Sequence, residues 1–339
     1  MDRYLIDESK LQMEELEFSK GSFSKVYKGC YNGRSVCVKV IKKDMIDPEL
    51  LVFIDREVDI LQDLLDHEHR NIVQFIGVGG REQLLFLVTE LISGGDLGTL
   101  LYDSTAIKIP WSLKLNLAKD IAEGMVYLHS KNIMHRDLKS NNLLIGDDWS
   151  VKICDFGFAK IIAPHTMTTT ICGTDEWMSP EVILGMSYNF SADIYSYGMV
   201  LIELITQCRL QERLPQNSFD IDEEQLNEIL PSDCPEEFWK LAKECCSYTP
   251  EDRPDFSAIV QKLEDIIAKY GDDRSDYPPP PVVAPAPDFE DDNSLQNWCL
   301  LSNLPDDVLE DQDQDVSDDN KVDVDDNKAT TTSTWSCSI

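Results

Sequence analysis

The stretch His135-Arg136-Asp137-Leu138-Lys139-Ser140-Asn141-Asn142 decides how this chain reads. It follows Ser112–Ser130, in which Leu113, Leu117, Ile121, Met125 and Leu128 recur at three- and four-residue steps. That period predicts a helix with the five side chains on one face, and such a stripe is core rather than a binding device. Thirteen residues beyond Asn142 stands Asp155-Phe156-Gly157, entered from the strand-like Val151–Cys154. A core helix thus leads into one polar cluster and a short strand into another.

Three more groups lie upstream. Ser19-Lys20-Gly21-Ser22-Phe23-Ser24-Lys25-Val26 falls between two strand-like runs. A loop that covers phosphates needs small residues so that backbone N–H groups can approach the anion. Alone, this loop reads equally well as a hairpin turn. Thirteen residues after Val26, the strand-like Ser35–Ile41 carries Val36-Cys37-Val38-Lys39, and its lysine projects either into solvent or into a cleft. Glu57 lies on the next helical stretch, Glu49–Leu65, on the same face as Phe53 and Leu61. An acid among apolar neighbours predicts a paired charge, with Lys39 as its partner.

In this order and at these spacings, His135–Asn142 and Asp155–Gly157 resemble the catalytic loop and metal-binding triplet of eukaryotic protein kinases. The resemblance covers residues 12–270. Gly173-Thr174-Asp175-Glu176-Trp177-Met178-Ser179-Pro180-Glu181 is similar to the end of a kinase activation segment, with Ser179 where alanine is usual. Asp193–Gly198 resembles the helix that anchors the catalytic loop, and Arg253 matches the arginine that pairs with Glu181. Trp177-Met178, Ser191–Gly198 and Asp252–Phe256 are most similar to the tyrosine-kinase-like branch, whose members mostly phosphorylate serine and threonine.

The resemblance implies an α+β, bilobal protein kinase fold, with a small β-rich N-lobe, a mainly helical C-lobe and a nucleotide cleft between them. It implies ATP and Mg²⁺ as cofactors. Phe18, Ser19, Lys20, Gly21, Ser22, Phe23, Ser24, Lys25 and Val26 would cover the phosphates. Lys39 would contact the α- and β-phosphates and Glu57 would hold it there. Asn142 and Asp155 would bind the metal, Asp137 would accept or orient the substrate hydroxyl proton, and Lys139 would steady the γ-phosphate. Adenine would meet backbone groups at Glu90 and Leu91, with Thr89 as gatekeeper and Leu144 as floor. Lys139 and Thr174 match serine/threonine rather than tyrosine kinases. Ser19 and Ser24 replace the first and third glycines of the family's loop, so weaker or slower ATP use is expected. A nucleotide-binding pseudokinase scaffold and a dual-specificity or tyrosine kinase are the alternatives. Phosphorylation of Thr166, Thr168, Thr169 or Thr170 is expected to pair with Arg136 and order the activation segment.

Composition bounds the rest. The chain has 339 residues, 42% of them apolar, which suffices for a core. No apolar run nears the roughly 20 residues that span a bilayer, and Met1–Lys10 does not read as a signal peptide. A net charge of −33 sets the chain against nucleic acid and anionic membranes. Ten cysteines without zinc spacing read as thiols of a reducing compartment, so a cytoplasmic location and protein substrates are expected. Residues 1–11 read as an N-terminal extension, 12–270 as the kinase domain and 271–339 as a tail. The tail holds 18 of the 63 acidic residues and three of the 30 basic ones, with prolines that favour polyproline II, and is expected to be disordered. Within it Tyr277–Pro281 reads as a spacer or as the ligand of a proline-recognition domain. Leu295, Trp298, Leu301 and Leu304 are spaced for a short helix.

Overall fold

The computed structural model describes residues 4–20, 24–42, 48–65, 68–81, 84–103, 108–163, 166–210, 213–271 and 277–280. Five antiparallel strands build the small lobe: β1 (Leu11–Lys20), β2 (Ser24–Tyr31), β3 (Arg34–Lys42), β4 (Phe75–Arg81) and β5 (Leu84–Glu90), in the order β1-β2-β3-β5-β4. Asn32 and Gly33 join β2 to β3 with φ of 51° and 78°. A two-residue turn of type I′ needs that left-handed pair to match the twist of its strands.

Strand alternation explains where Lys39 points. Val36 and Val38 on β3 pack with Phe86 and Val88 on the outer face of the sheet. Ile41 and Leu87 belong to the opposite face and pack into the main core with Ile54, Val58 and Leu61 of helix α1 (Pro48–Leu65). Lys39 shares parity with Ile41, so its side chain emerges on the α1 side. Tyr4–Lys10, read from the sequence as an extension, closes the outer face. Ile6 N–H donates to Val78 O at 2.8 Å, and its side chain is buried against Val36, Val38, Phe86 and Val88. A Cβ on Gly77 would stand 2.5 Å from Tyr4 O, so glycine is what lets this segment approach the sheet.

The large lobe contains α2 (Leu97–Asp103), α3 (Trp111–Ser130), α4 (Pro180–Ile183), α5 (Ser191–Thr206), α6 (Glu223–Ile229), α7 (Glu236–Cys245) and α8 (Phe256–Tyr270). Short strand pairs join β6 (Ile133–Met134) to β9 (Lys160–Ile161), and β7 (Leu143–Ile145) to β8 (Val151–Ile153). All five residues of the predicted α3 stripe are buried, and α3 packs on α5 and α8. Helix α5 is buried almost all round, from Ala192 to Ile205, which marks a central helix rather than an amphipathic surface one. Among the described residues, no helix is long and apolar enough to cross a membrane, and the cysteines are unbridged.

Tyr277–Pro280 falls within the tail expected to be disordered, yet it packs on the large lobe. Trp149 Nε1–H donates to Pro278 O at 2.7 Å, and Tyr277 OH lies 3.0 Å from Ser112 Oγ. The stretch read as a spacer or an external ligand is therefore engaged by its own chain. Leu295–Leu304 lie outside the described residues.

Candidate active site

Lys39 meets its predicted partner. Its Nζ stands 3.1 Å from Glu57 Oε1 and 3.0 Å from Oε2. It also lies 3.9 Å from Asp155 Oδ1. Burial pulls the ammonium pKa down, but Glu57 and then Asp155 outweigh it, so the group is raised and stays cationic. Burial pushes the Glu57 carboxyl up, with Lys39 pulling it partly back. The cleft walls also raise Asp155, though its side chain is 46% exposed, yet Lys39, Lys139, His135 and the Gly157 N–H bring it below the usual carboxylate range. The cleft thus presents one fixed cation beside one ionised acid.

The catalytic loop is hung from α5. Asp193, fully buried, accepts the backbone N–H of His135 at 2.9 Å and of Arg136 at 2.8 Å, and bonds His129 Nε2 at 2.9 Å. Arg136 and Asp155 hold φ of 64° and 63°, a region that non-glycine residues rarely enter. Bonds such as these, with Arg136 Nε–H to Phe158 O at 2.7 Å, hold that backbone in place. Phe156 is fully buried against the His135 ring.

Four side chains then close into one unit. Thr174 Oγ1 donates to Asp137 Oδ1 at 2.7 Å and accepts from Lys139 Nζ at 2.6 Å. Lys139 Nζ lies 3.3 Å from Asp137 Oδ2. Asn142 Nδ2 donates to Asp137 O at 2.8 Å and to Oδ2 at 3.0 Å. With its amide nitrogen committed, Asn142 has its Oδ1 to offer a cation. That hard oxygen and the Asp155 carboxylate suit Mg²⁺.

The residues expected to meet adenine are more exposed. Thr89, Glu90, Leu91 and Leu144 are all half-buried. Glu90 N–H already donates to Gln74 O at 2.9 Å, so an adenine contact at Glu90 falls to its carbonyl. Its carboxylate is taken by Gln74 N–H at 2.7 Å and by Lys152 at 2.8 Å. Leu144 is bridged to Asp96. Of the residues expected to cover the phosphates, Phe18 lies on β1, while Ser19 and Lys20 pair in register with Val26 and Lys25 beside Ser24. Gly21, Ser22 and Phe23 lie outside the described residues.

Two side chains of this site escape a reading of motifs. Glu203 on α5 accepts Ser140 Oγ at 2.9 Å, Trp177 Nε1–H at 2.7 Å and the Tyr102 hydroxyl. Burial pushes its carboxyl up to about 7, against those hydrogen bonds. Its one signal in the sequence is an acid inside the apolar run Met199–Ile205. Arg213 donates to the carbonyls of Asp175 and Met178 and, at 2.9 Å, to Tyr195 OH. Nothing in its local sequence marks it. The Glu181–Arg253 pair forms as expected, at 2.6 and 2.9 Å. Of the four activation-segment threonines, Thr168 is buried, with its N–H and C=O paired to Tyr188, whereas Thr169 is exposed.

Comparison with known proteins follows the same outline. Residues 15–263 match the model of the protein kinase domain. A probable serine/threonine-protein kinase of Dictyostelium discoideum is 60% identical over 309 residues, covering 90% of this chain and 73% of that protein. A second probable serine/threonine-protein kinase of that organism is 41% identical over 283 residues, 81% of this chain and 30% of its own length. Its RasGEF domain-containing serine/threonine-protein kinase X is 43% identical over 264 residues, 75% of this chain and 27% of that protein. The chain therefore spans about a third or less of the latter two. Because the matched span holds every residue of the cleft described above, the chain belongs to the protein kinase domain family.

Proposed function

We propose that this protein kinase transfers the γ-phosphoryl group of ATP to serine and threonine hydroxyls of other proteins. The Asp137–Thr174–Lys139 unit carries the reading, because it sets a hydrogen-bond acceptor and a cation side by side in one fixed geometry. Phosphoryl transfer asks the protein for positioning and charge stabilisation more than for covalent work. Asp137 orients the substrate hydroxyl and takes its proton. Lys139 offers its charge to the γ-phosphoryl oxygens, and Thr174 fixes both. Lys39, held by Glu57, binds the α- and β-phosphates, and the Ser19–Ser24 loop covers them. Mg²⁺ held by Asp155 and Asn142 would supply further stabilisation of phosphate charge. Thr89, Leu91, Leu144 and the Glu90 carbonyl receive adenine.

Serine/threonine specificity rests on Lys139 and Thr174 and accords with the names of the relatives. Placement in the tyrosine-kinase-like branch rests on Trp177-Met178 and Ser191–Gly198. A cytoplasmic location rests on the cysteine spacing of the sequence. The test is phosphotransfer by the full chain from ATP and Mg²⁺ to a basic protein, with phosphoamino-acid analysis. Phosphoserine or phosphothreonine is expected, and Asp137→Asn should lower kcat by about 10²–10⁴-fold while leaving ATP binding intact. Equal rates for the two proteins, or phosphotyrosine alone, would overturn the proposal. Stabilisation by ATP in both without transfer would mark a scaffold.

A further inference from the structure

Tyr277–Pro280 lies in a groove bounded by the start of α3, the β7–β8 turn and the Gly94 segment that follows β5. A proline tract offers carbonyl acceptors but no N–H donors. A surface that reads one must therefore supply donors, together with apolar walls for the rings. Here a donor meets the Pro278 carbonyl and an apolar wall meets Pro280, while Pro278 and Pro279 are otherwise exposed. Trp149 is held at φ 62°, in the left-handed region, which bulky residues seldom occupy, by its N–H to Gly146 O at 3.0 Å. Its indole is 5% exposed and donates to Pro278 O at 2.7 Å. Tyr277 packs on the edge of the main core, with its hydroxyl 3.0 Å from Ser112 Oγ. Pro280 is buried, and a Cβ on Gly94 would stand 3.1 Å from its Cγ. Gly94 in turn donates to Ile145 O at 2.9 Å, which ties the groove floor to β7.

We propose that this groove is a built proline-recognition site whose occupant is the chain's own Tyr277-Pro278-Pro279-Pro280. The domain thereby holds Tyr277–Pro280 in place, with Pro280 beside Gly94, three residues past Leu91. Any separate proline-binding domain must first displace this contact. The site stands whether or not the phosphotransfer proposal does.

The chain has six tryptophans, so the indole N–H signals of the ¹⁵N-labelled full chain report on the groove directly. Trp149→Phe assigns the Trp149 signal by its loss. Converting Pro278, Pro279 and Pro280 together to glycine should move that signal and speed its exchange with water by about tenfold or more, a gain equivalent to about 1.4 kcal/mol of lost protection. The other indole signals should stay in place. Tyr277→Phe, which removes one hydroxyl and no packing, should speed the exchange by a smaller factor. An unmoved Trp149 signal with unchanged exchange in the glycine variant would overturn the proposal.

Discussion

Glu203 is a fully buried carboxyl with three hydrogen bonds into different parts of the site. Tyr102 comes from α2, Ser140 from the catalytic loop and Trp177 from the activation segment. Burial raises its pKa from an ordinary 4.5 to about 7, with the Glu176 charge adding to the rise. A carboxyl raised on folding contributes stability that is complete below its unfolded pKa and is lost as pH climbs through the folded one. Thermal midpoints of the wild type should thus fall between about pH 5 and about pH 8, more steeply than those of Glu203→Gln. Parallel pH curves for the two proteins would refute the assignment. Asp193, buried on the same helix, behaves oppositely. Burial raises it, but His129, His135 and the Arg136 N–H outweigh burial and lower it, so its contribution fades only as pH drops below the ordinary aspartate value. Asp193 was legible in the sequence through its motif. Glu203 was not, since one acid in an apolar run says nothing about which donors surround it.

At the scale of elements, the α4 and α8 ends of the large lobe are joined by Glu181 and Arg253. The Arg253 side chain is fully buried and that of Glu181 is 6% exposed. Arg253 also donates to the carbonyls of Ser247, Ser191 and Tyr248. Removing one partner leaves the other charge buried without its counterion. Glu181→Ala is expected to cost about 3–5 kcal/mol in urea unfolding. Glu181→Leu combined with Arg253→Met should cost less than Glu181→Ala. A loss below about 1 kcal/mol for Glu181→Ala would show that the pair contributes little. Element positions were largely readable. The strand predicted at Ser35–Ile41 forms as Arg34–Lys42, and the helices predicted at Ser112–Ser130 and Glu49–Leu65 each start one residue earlier. Periodicity fixes which residues share a face but leaves the last turn or residue to local capping. Helix α5 gave no stripe to read, because it is surrounded on all sides.

The molecule as a whole places its cleft groups from opposite lobes: Lys39 and Glu57 from the small one, Asp137, Asn142 and Asp155 from the large. A ligand that bridges both sets stabilises the folded chain by mass action. ATP with Mg²⁺ at about 100 times its Kd should add about 2.7 kcal/mol, visible as a higher thermal midpoint. Lys39→Met should keep the fold and lose most of that shift. An equal shift in the variant would place the nucleotide elsewhere. The N-terminal segment belongs to this scale too, since Ile6 completes the outer face of the sheet although its sequence reads as a polar extension.

By itself the sequence predicted the Lys39–Glu57 pair from residue type and helical spacing, while Asp137, Asn142, Asp155 and the two lobes entered through its resemblance to protein kinases. Residue type and spacing encode local periodicity and the chemical needs of phosphate handling, and both are written along the chain. Only the tertiary structure decided the buried partners of Glu203, the seat of Ile6 and the hydrogen bond from Trp149 to Pro278 across 129 residues. Such contacts depend on how packed elements meet, and no period along one element carries that information.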